Sequence, residues 1–294
     1  MMVLAAAATP LLNPAIWFAY VDDFPALTAL PPFPLLPRIA SIRHPLRRSQ
    51  SILARYLLRC ALTTEFDVVP SDPQDLSAFS GAGTQGDPAG SFCIRTRSTD
   101  TVGEDAFEVC TRQGWCAGVA HSGNLVGVAW SKGPWVGIDV EDIRRKVRFD
   151  AIAERFFPRP LARYVQGVDI PQKRRRFFLV WTLREALIKA AARCMPVPFT
   201  GMPDFGISAE TWATLLTAGE AEHAFRVKLP CRLPYAASDA RDSFLQVYFF
   251  TVRTDYQVCF VQSVGEVFTA FRVVEMTTAD QTLIYSPLCR DVGV

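Results

Sequence analysis

The sequence predicts an α+β fold. Two long helical patterns, over residues 47–62 and 172–193, stand among short segments in which apolar and polar residues alternate. The chain has 294 residues, 50% of them hydrophobic, enough to bury one large core or two ordinary ones. Lys132-Gly133-Pro134 punctuates it near the middle and divides it into residues 1–134 and residues 135–294.

Taken in order, the alternation around Ile16 to Val21 predicts a strand. Pro31, Pro32, Pro34 and Pro37 then impose an extended connection closed to helix. In the first long helix Ile52, Leu53, Tyr56, Leu57 and Cys60 form one apolar stripe, flanked by Arg48, Arg55 and Arg59. Glycine and proline mark residues 63–91 as a long loop. Strands follow at 91–97 and 106–111, then at 116–120 and 125–130 about a tight turn, His121-Ser122-Gly123-Asn124. A strand over 136–141 opens the second part. Beyond it a helix over 150–157 stops at Pro158 and another starts near Leu161. The second long helix packs through Phe178, Trp181, Leu187, Ile188 and Ala191 until Pro196 and Pro198 stop it. Alternation at 244–251, 257–262 and 266–274 predicts antiparallel strands that close a sheet.

Charge is nearly balanced, 31 Lys or Arg against 29 Asp or Glu, with no continuous basic track for a nucleic acid. Five arginines nevertheless fall between Arg43 and Arg59. The eight cysteines show no paired spacing and read as free thiols of a reducing compartment, the cytoplasm. Met1 to Leu12 is apolar but lacks a basic segment before it, so no export signal is expected. No apolar run reaches membrane-spanning length, and no membrane partner is expected.

Four polar residues carry the chemistry. Period two puts Asp139 and Glu141 on one side of a strand, and Glu185 and Lys189 lie one turn apart on a helix. Two hard oxygen ligands at that spacing suit Mg2+. Each feature also has a plain structural reading. The acids would serve equally as a strand end, and Glu185 with Lys189 as an ordinary helix pair of about 0.2–0.5 kcal/mol. His121 would serve as a turn residue, and the arginines of residues 43–59 as a solvated face.

Together these blocks resemble a 4′-phosphopantetheinyl transferase of the surfactin-synthetase-activating type. Gly118-Val119-Ala120-His121-Ser122-Gly123-Asn124 resembles that family's His-Ser turn. Val136-Gly137-Ile138-Asp139-Val140-Glu141 is similar to its Gly-(Ile/Val)-Asp-x-Glu block, and Trp181-Thr182-Leu183-Arg184-Glu185-Ala186-Leu187-Ile188-Lys189 to its Trp-Thr-x-Lys-Glu block. The resemblance lies mainly within residues 43–192. It implies a monomeric pseudo-dimer of two similar α/β halves with the active site between them. It implies transfer of the phosphopantetheine arm of coenzyme A to a serine of an apo-acyl or peptidyl carrier protein. Asp139, Glu141 and Glu185 would hold Mg2+. Lys189 and His121, with Ser122, would contact coenzyme A, and Arg48, or Arg43 or Arg47, its 3′-phosphate. Glu185 would act as general base, with Glu141 the alternative. Arg144-Arg145-Lys146-Val147-Arg148 would attract an acidic carrier or form a solvated loop. Arg184 replaces the family's lysine, and Gln85-Gly86-Asp87-Pro88 stands where the family has Gly-Lys-Pro. A catalytically silent carrier-binding module and another Mg2+-dependent phosphotransferase or nuclease are the competing readings.

Overall fold

The computed structural model describes residues 15–25, 27, 37–66, 92–97, 106–111, 115–133, 135–191, 205–231, 243–263, 272–278, 281–285 and 290–293. Two sheets lie face to face between two helical layers. The first is built on β1 (Ala15–Tyr20), β2 (Phe92–Arg97), β3 (Ala106–Thr111), β4 (Trp115–Ser122) and β5 (Leu125–Lys132). The second contains β6 (Val136–Asp142), β7 (Ala224–Cys231), β8 (Ser243–Val252) and β9 (Tyr256–Ser263). Helices α1 (Pro37–Ala40) and α2 (Pro45–Phe66) precede β2. Helices α3 (Phe149–Phe156), α4 (Arg159–Gln166), α5 (Ile170–Ala191) and α6 (Ala209–Ala221) lie between β6 and β7.

Side-chain alternation builds the layers. Ala15, Trp17 and Ala19 of β1 pack with Leu53 and Leu57 of α2, whereas Ile16, Phe18 and Tyr20 join Ile138, Phe250 and Phe260 in the core between the sheets. On the second sheet Leu245, Val247 and Phe249 of β8 face the α3–α6 layer, and Tyr248, Phe250 and Val252 face the first sheet. Period two therefore gives β1 and β8 two buried faces, as a four-layer stack demands.

One path recurs. In the first sheet a strand (β1) leads to a 22-residue helix (α2), and β3, β4 and β5 return so that β5 pairs antiparallel with β1. In the second, β6 leads to a 22-residue helix (α5), and β7, β8 and β9 return so that β9 pairs antiparallel with β6. The strand orders β1-β5-β4-β3 and β6-β9-β8-β7 correspond.

The tail departs from its predicted role. β10 (Arg272–Thr278) does not extend the sheet of β8 and β9. It crosses to the first sheet, pairs parallel with β1, and carries β11 (Gln281–Tyr285) at the edge. β12 (Arg290–Val292) returns to the second sheet beside β7. Strands β1 to β5 thus belong to the first sheet and β6 to β9 to the second, and the tail strands are shared between them.

Three local expectations change. Pro37 starts a short helix, where proline's fixed φ and missing N–H are harmless in the first turn. Arg55 is buried and not on the flank, its Nη1 donating to Ser51 O at 2.9 Å. Helix α6 and strand β7 were not anticipated; the helix is capped by Ser208, whose Oγ accepts from Thr211 N. The predicted loop and the Gln85-Gly86-Asp87-Pro88 segment lie outside the described residues from position 67 on. Cys60, Cys116 and Cys259 are free thiols, and no described helix is long and apolar enough to cross a membrane.

Candidate active site

Gly137 sets the site. A Cβ at that position would lie 2.0 Å from Ala186 O and 2.8 Å from Ala190 N, so only glycine lets α5 rest directly on β6. Residues 139 and 141 share the face of residue 137 and so also point at α5. The helix runs antiparallel to the strand. Lys189 Nζ meets Asp139 Oδ1 at 2.8 Å, and Trp181 Nε1 donates to Glu141 Oε1 at 2.9 Å. Glu185 lies on the same helical stripe, one turn from each of Trp181 and Lys189, and is buried. The two segments that carry the acids therefore meet, although 40 residues separate Glu141 from Trp181.

The first sheet adds one hydroxyl. At the end of β4, Ser122 Oγ donates to Glu141 Oε2 at 3.0 Å and accepts from Asp142 N at 3.0 Å. Ser122 pairs with Leu125 of the inter-sheet core, whereas His121 pairs with Val126, which packs against α2. Alternation thus sends Ser122 toward β6 and His121 toward α2. The N-terminal part of that helix is close, because Gln50 Nε2 donates to Gly123 O at 2.6 Å. Gly123 itself has φ +53°, and a Cβ there would stand 2.8 Å from Asp142 Oδ2.

Charge balance is local and tight. Burial pushes the Glu141 carboxyl above the ordinary carboxylate range, opposed by Arg145 and by the hydrogen bonds of Ser122 and Trp181. Arg145 Nη1 is 3.0 Å from Glu141 Oε2. Asp142 is held below its ordinary range by Arg144, whose guanidinium also reaches Asp255 Oδ2 at 3.1 Å and the Tyr256 hydroxyl at 3.1 Å. Asp139 faces Cys259 across the ladder; complete burial first, then the Asp139 charge, push that thiol up, so it stays protonated. Trp181 stacks on Phe177 with ring centroids 5.7 Å apart, which fixes the indole that orients Glu141.

Sequence reasoning treated Trp181 as packing and placed Arg145 in a basic run. The stripe Trp181, Glu185, Lys189, at successive steps of four, is the signal that links the indole to the acids. Arg48 does not project freely: its guanidinium donates to Ile42 O at 2.7 and 3.0 Å and to Ala40 O at 3.1 Å. Arg43 and Arg47 are exposed beside it, and Arg184 is buried on α5.

Asp139, Glu141 and Glu185 supply hard oxygens to one strand–helix interface, and Asp139 Oδ2 is a buried oxygen with no hydrogen bond. That donor chemistry suits Mg2+. As the side chains stand, no three His, Cys, Asp or Glu residues among those described are arranged to hold a metal ion; Asp139 turns to Lys189, and Glu141 to Arg145, Ser122 and Trp181.

Residues 135–229, about a third of the chain, match the model of the 4′-phosphopantetheinyl transferase superfamily. The match begins just before β6, spans α3 to α6 and ends within β7. That part of the chain is therefore associated with an enzyme superfamily of phosphopantetheinyl transfer, and its α+β architecture agrees with it. No curated protein matches the chain.

Proposed function

We propose that the protein transfers the 4′-phosphopantetheine arm of coenzyme A to a serine hydroxyl of an apo-acyl or peptidyl carrier protein, releasing adenosine 3′,5′-bisphosphate. The observation that carries this reading is the docking of α5 on β6 at Gly137, which sets Asp139 against Lys189 and Glu141 against Trp181 within the segment that matches the superfamily. The recurring strand–helix–meander supports two pseudo-dimeric halves, with the site at the edge where Ser122 of the first reaches Glu141 of the second.

Asp139, Glu141 and Glu185 would hold Mg2+, and the ion would supply Lewis-acid polarisation of the donor's pyrophosphate. Lys189 is a compact point charge for those oxygens and for the charge that grows on the leaving bisphosphate. Glu185 takes the proton of the attacking serine as its oxygen bonds to phosphorus and the pyrophosphate bridge breaks. Glu141 suits this role less, because Trp181 holds one oxygen and Ser122 with Arg145 the other. We assign the 3′-phosphate of coenzyme A to the exposed Arg43 and Arg47 with His121, which faces the same helix, and give Arg48 the task of shaping their loop.

Residues 143–176 carry eleven Lys or Arg against three Asp or Glu, a local excess that the near-neutral total conceals. Several are engaged: Lys173 by Asp150, Arg174 by Ile143 O, Arg176 by Glu220 and Tyr164 O. Exposed Lys146, Arg148, Arg159 and Arg163 remain to steer an acidic carrier. Intact-mass analysis of a panel of apo-carriers incubated with the protein, coenzyme A and Mg2+ tests the reading. Addition of one phosphopantetheine, abolished by chelation, is expected. Carrier binding without addition would leave the silent module in its place.

A further inference from the structure

Glu141 accepts from three groups, and they are not equally fixed. Ser122 is buried at a hairpin end and holds the backbone of Asp142 with the same oxygen. Trp181 is wedged among Phe156, Phe157 and Phe177. Arg145, in contrast, comes from the turn after β6 with 54% of its side chain exposed. Its neighbour Arg144 is fastened by Asp142, Asp255 and the face of Tyr256, so the turn itself stays in place if Arg145 rotates away. Among the three donors, only the guanidinium can leave without dismantling a core contact.

Arg145 Nη1 stands 3.0 Å from Glu141 Oε2, so Arg145 and a divalent ion would both neutralise the same buried carboxylate, and two cations side by side on it repel. We infer that Arg145 is a displaceable counter-ion of Glu141 that competes with the divalent cation and lowers its affinity. This rests on the proposed function, since it presumes that Glu141 is a cation ligand. Arg145 acts through Glu141 and is a positioning residue. Lys189 does not have the same freedom, because it is largely buried between α5 and Asp139.

The test is direct binding of Mn2+ to the full chain, read by the free-ion electron paramagnetic resonance signal at pH 8, for wild type, Arg145→Gln, Arg145→Lys and Arg144→Gln. Removing the competitor in R145Q is expected to tighten Mn2+ binding by about threefold to tenfold. R145K, which keeps the charge on a different head, should fall between, and R144Q should bind no tighter than wild type. Equal or weaker binding by R145Q, in a wild type that binds Mn2+ and transfers phosphopantetheine, would overturn this inference alone. Absence of Mn2+ binding in every variant, with no transfer, would overturn it together with the proposed function.

Discussion

The two strand–helix pairs, β1 with α2 and β6 with α5, follow the same path and bury opposite chemistry. Facing its helix, β1 presents Ala15, Trp17 and Ala19. The corresponding face of β6 presents Gly137, Asp139 and Glu141, met by Lys189, Glu185 and Trp181. Apolar area stabilises the first contact at about 25 cal/mol per Å2 buried. The second gains less in that way and depends on pairing every charge it buries. The first strand–helix contact is thus apolar, and the second keeps charged groups in a desolvated place, the setting in which functional sites tend to be found.

Four substitutions sharpen that contrast, beginning with the largest effect. Glu185→Gln should leave the circular dichroism spectrum unchanged and lower the rate of phosphopantetheine transfer by about 10²-fold or more; a fully active variant would remove Glu185 from both the base and ligand roles. Trp17→Ala, in the apolar contact, should cost about 3–5 kcal/mol in denaturant unfolding, while the molecules that stay folded keep their transfer rate. Gly137→Ala should cost about 3 kcal/mol and also abolish transfer, because its methyl group lies 2.0 Å from Ala186 O and lifts α5 off β6. A Gly137→Ala chain as stable and active as wild type would show that the close approach is not needed. Arg48→Ala removes only exposed bonds to Ala40 and Ile42 and should cost under about 1 kcal/mol of stability, while weakening the apparent affinity for coenzyme A as the loop that presents Arg43 and Arg47 loosens.

Glu141 gives a pH test of the polar contact. Its native carboxyl titrates above the ordinary value, so the folded chain holds a proton that the unfolded chain has released. Between the ordinary and the raised value, this group makes stability fall as pH rises. Asp142, held below its ordinary range by Arg144, has the opposite sign: its contribution is present above the ordinary value and is lost as pH falls through the native one. Thermal melts without divalent ions should lose the first slope in Glu141→Gln and retain the second. An unaltered profile would mean that the fold does not perturb Glu141.

Most strands and both long helices were legible because their residues repeat at periods of two and of three to four. The helix predicted from residue 172 starts at Ile170 and is described to Ala191, and residues 192 and 193 lie outside the described residues. The site was legible as two pieces: the shared face of Asp139 and Glu141, and the turn that separates Glu185 from Lys189. That the two pieces come together was expected only from the resemblance, and what escaped was the partner each side chain takes. Trp181 looked like packing, yet its indole orients Glu141. Arg145 looked like part of a surface run, yet it neutralises the same acid. Arg48 was expected as a phosphate ligand, and nothing in the sequence signals that its guanidinium also holds the α1–α2 loop through Ala40 O and Ile42 O.

The amino-acid order alone determined which residues share a face, where the main helices and strands run and which acids and cations lie in neighbouring turns, since backbone geometry converts spacing into direction without outside help. Tertiary packing alone decided that α5 lies on Gly137, that the strand after residue 271 runs parallel to β1, and that Lys189 and Arg145 are the partners of Asp139 and Glu141. These are contacts between segments far apart in the chain, and the free energy that selects them comes from surfaces that fit only once both are folded.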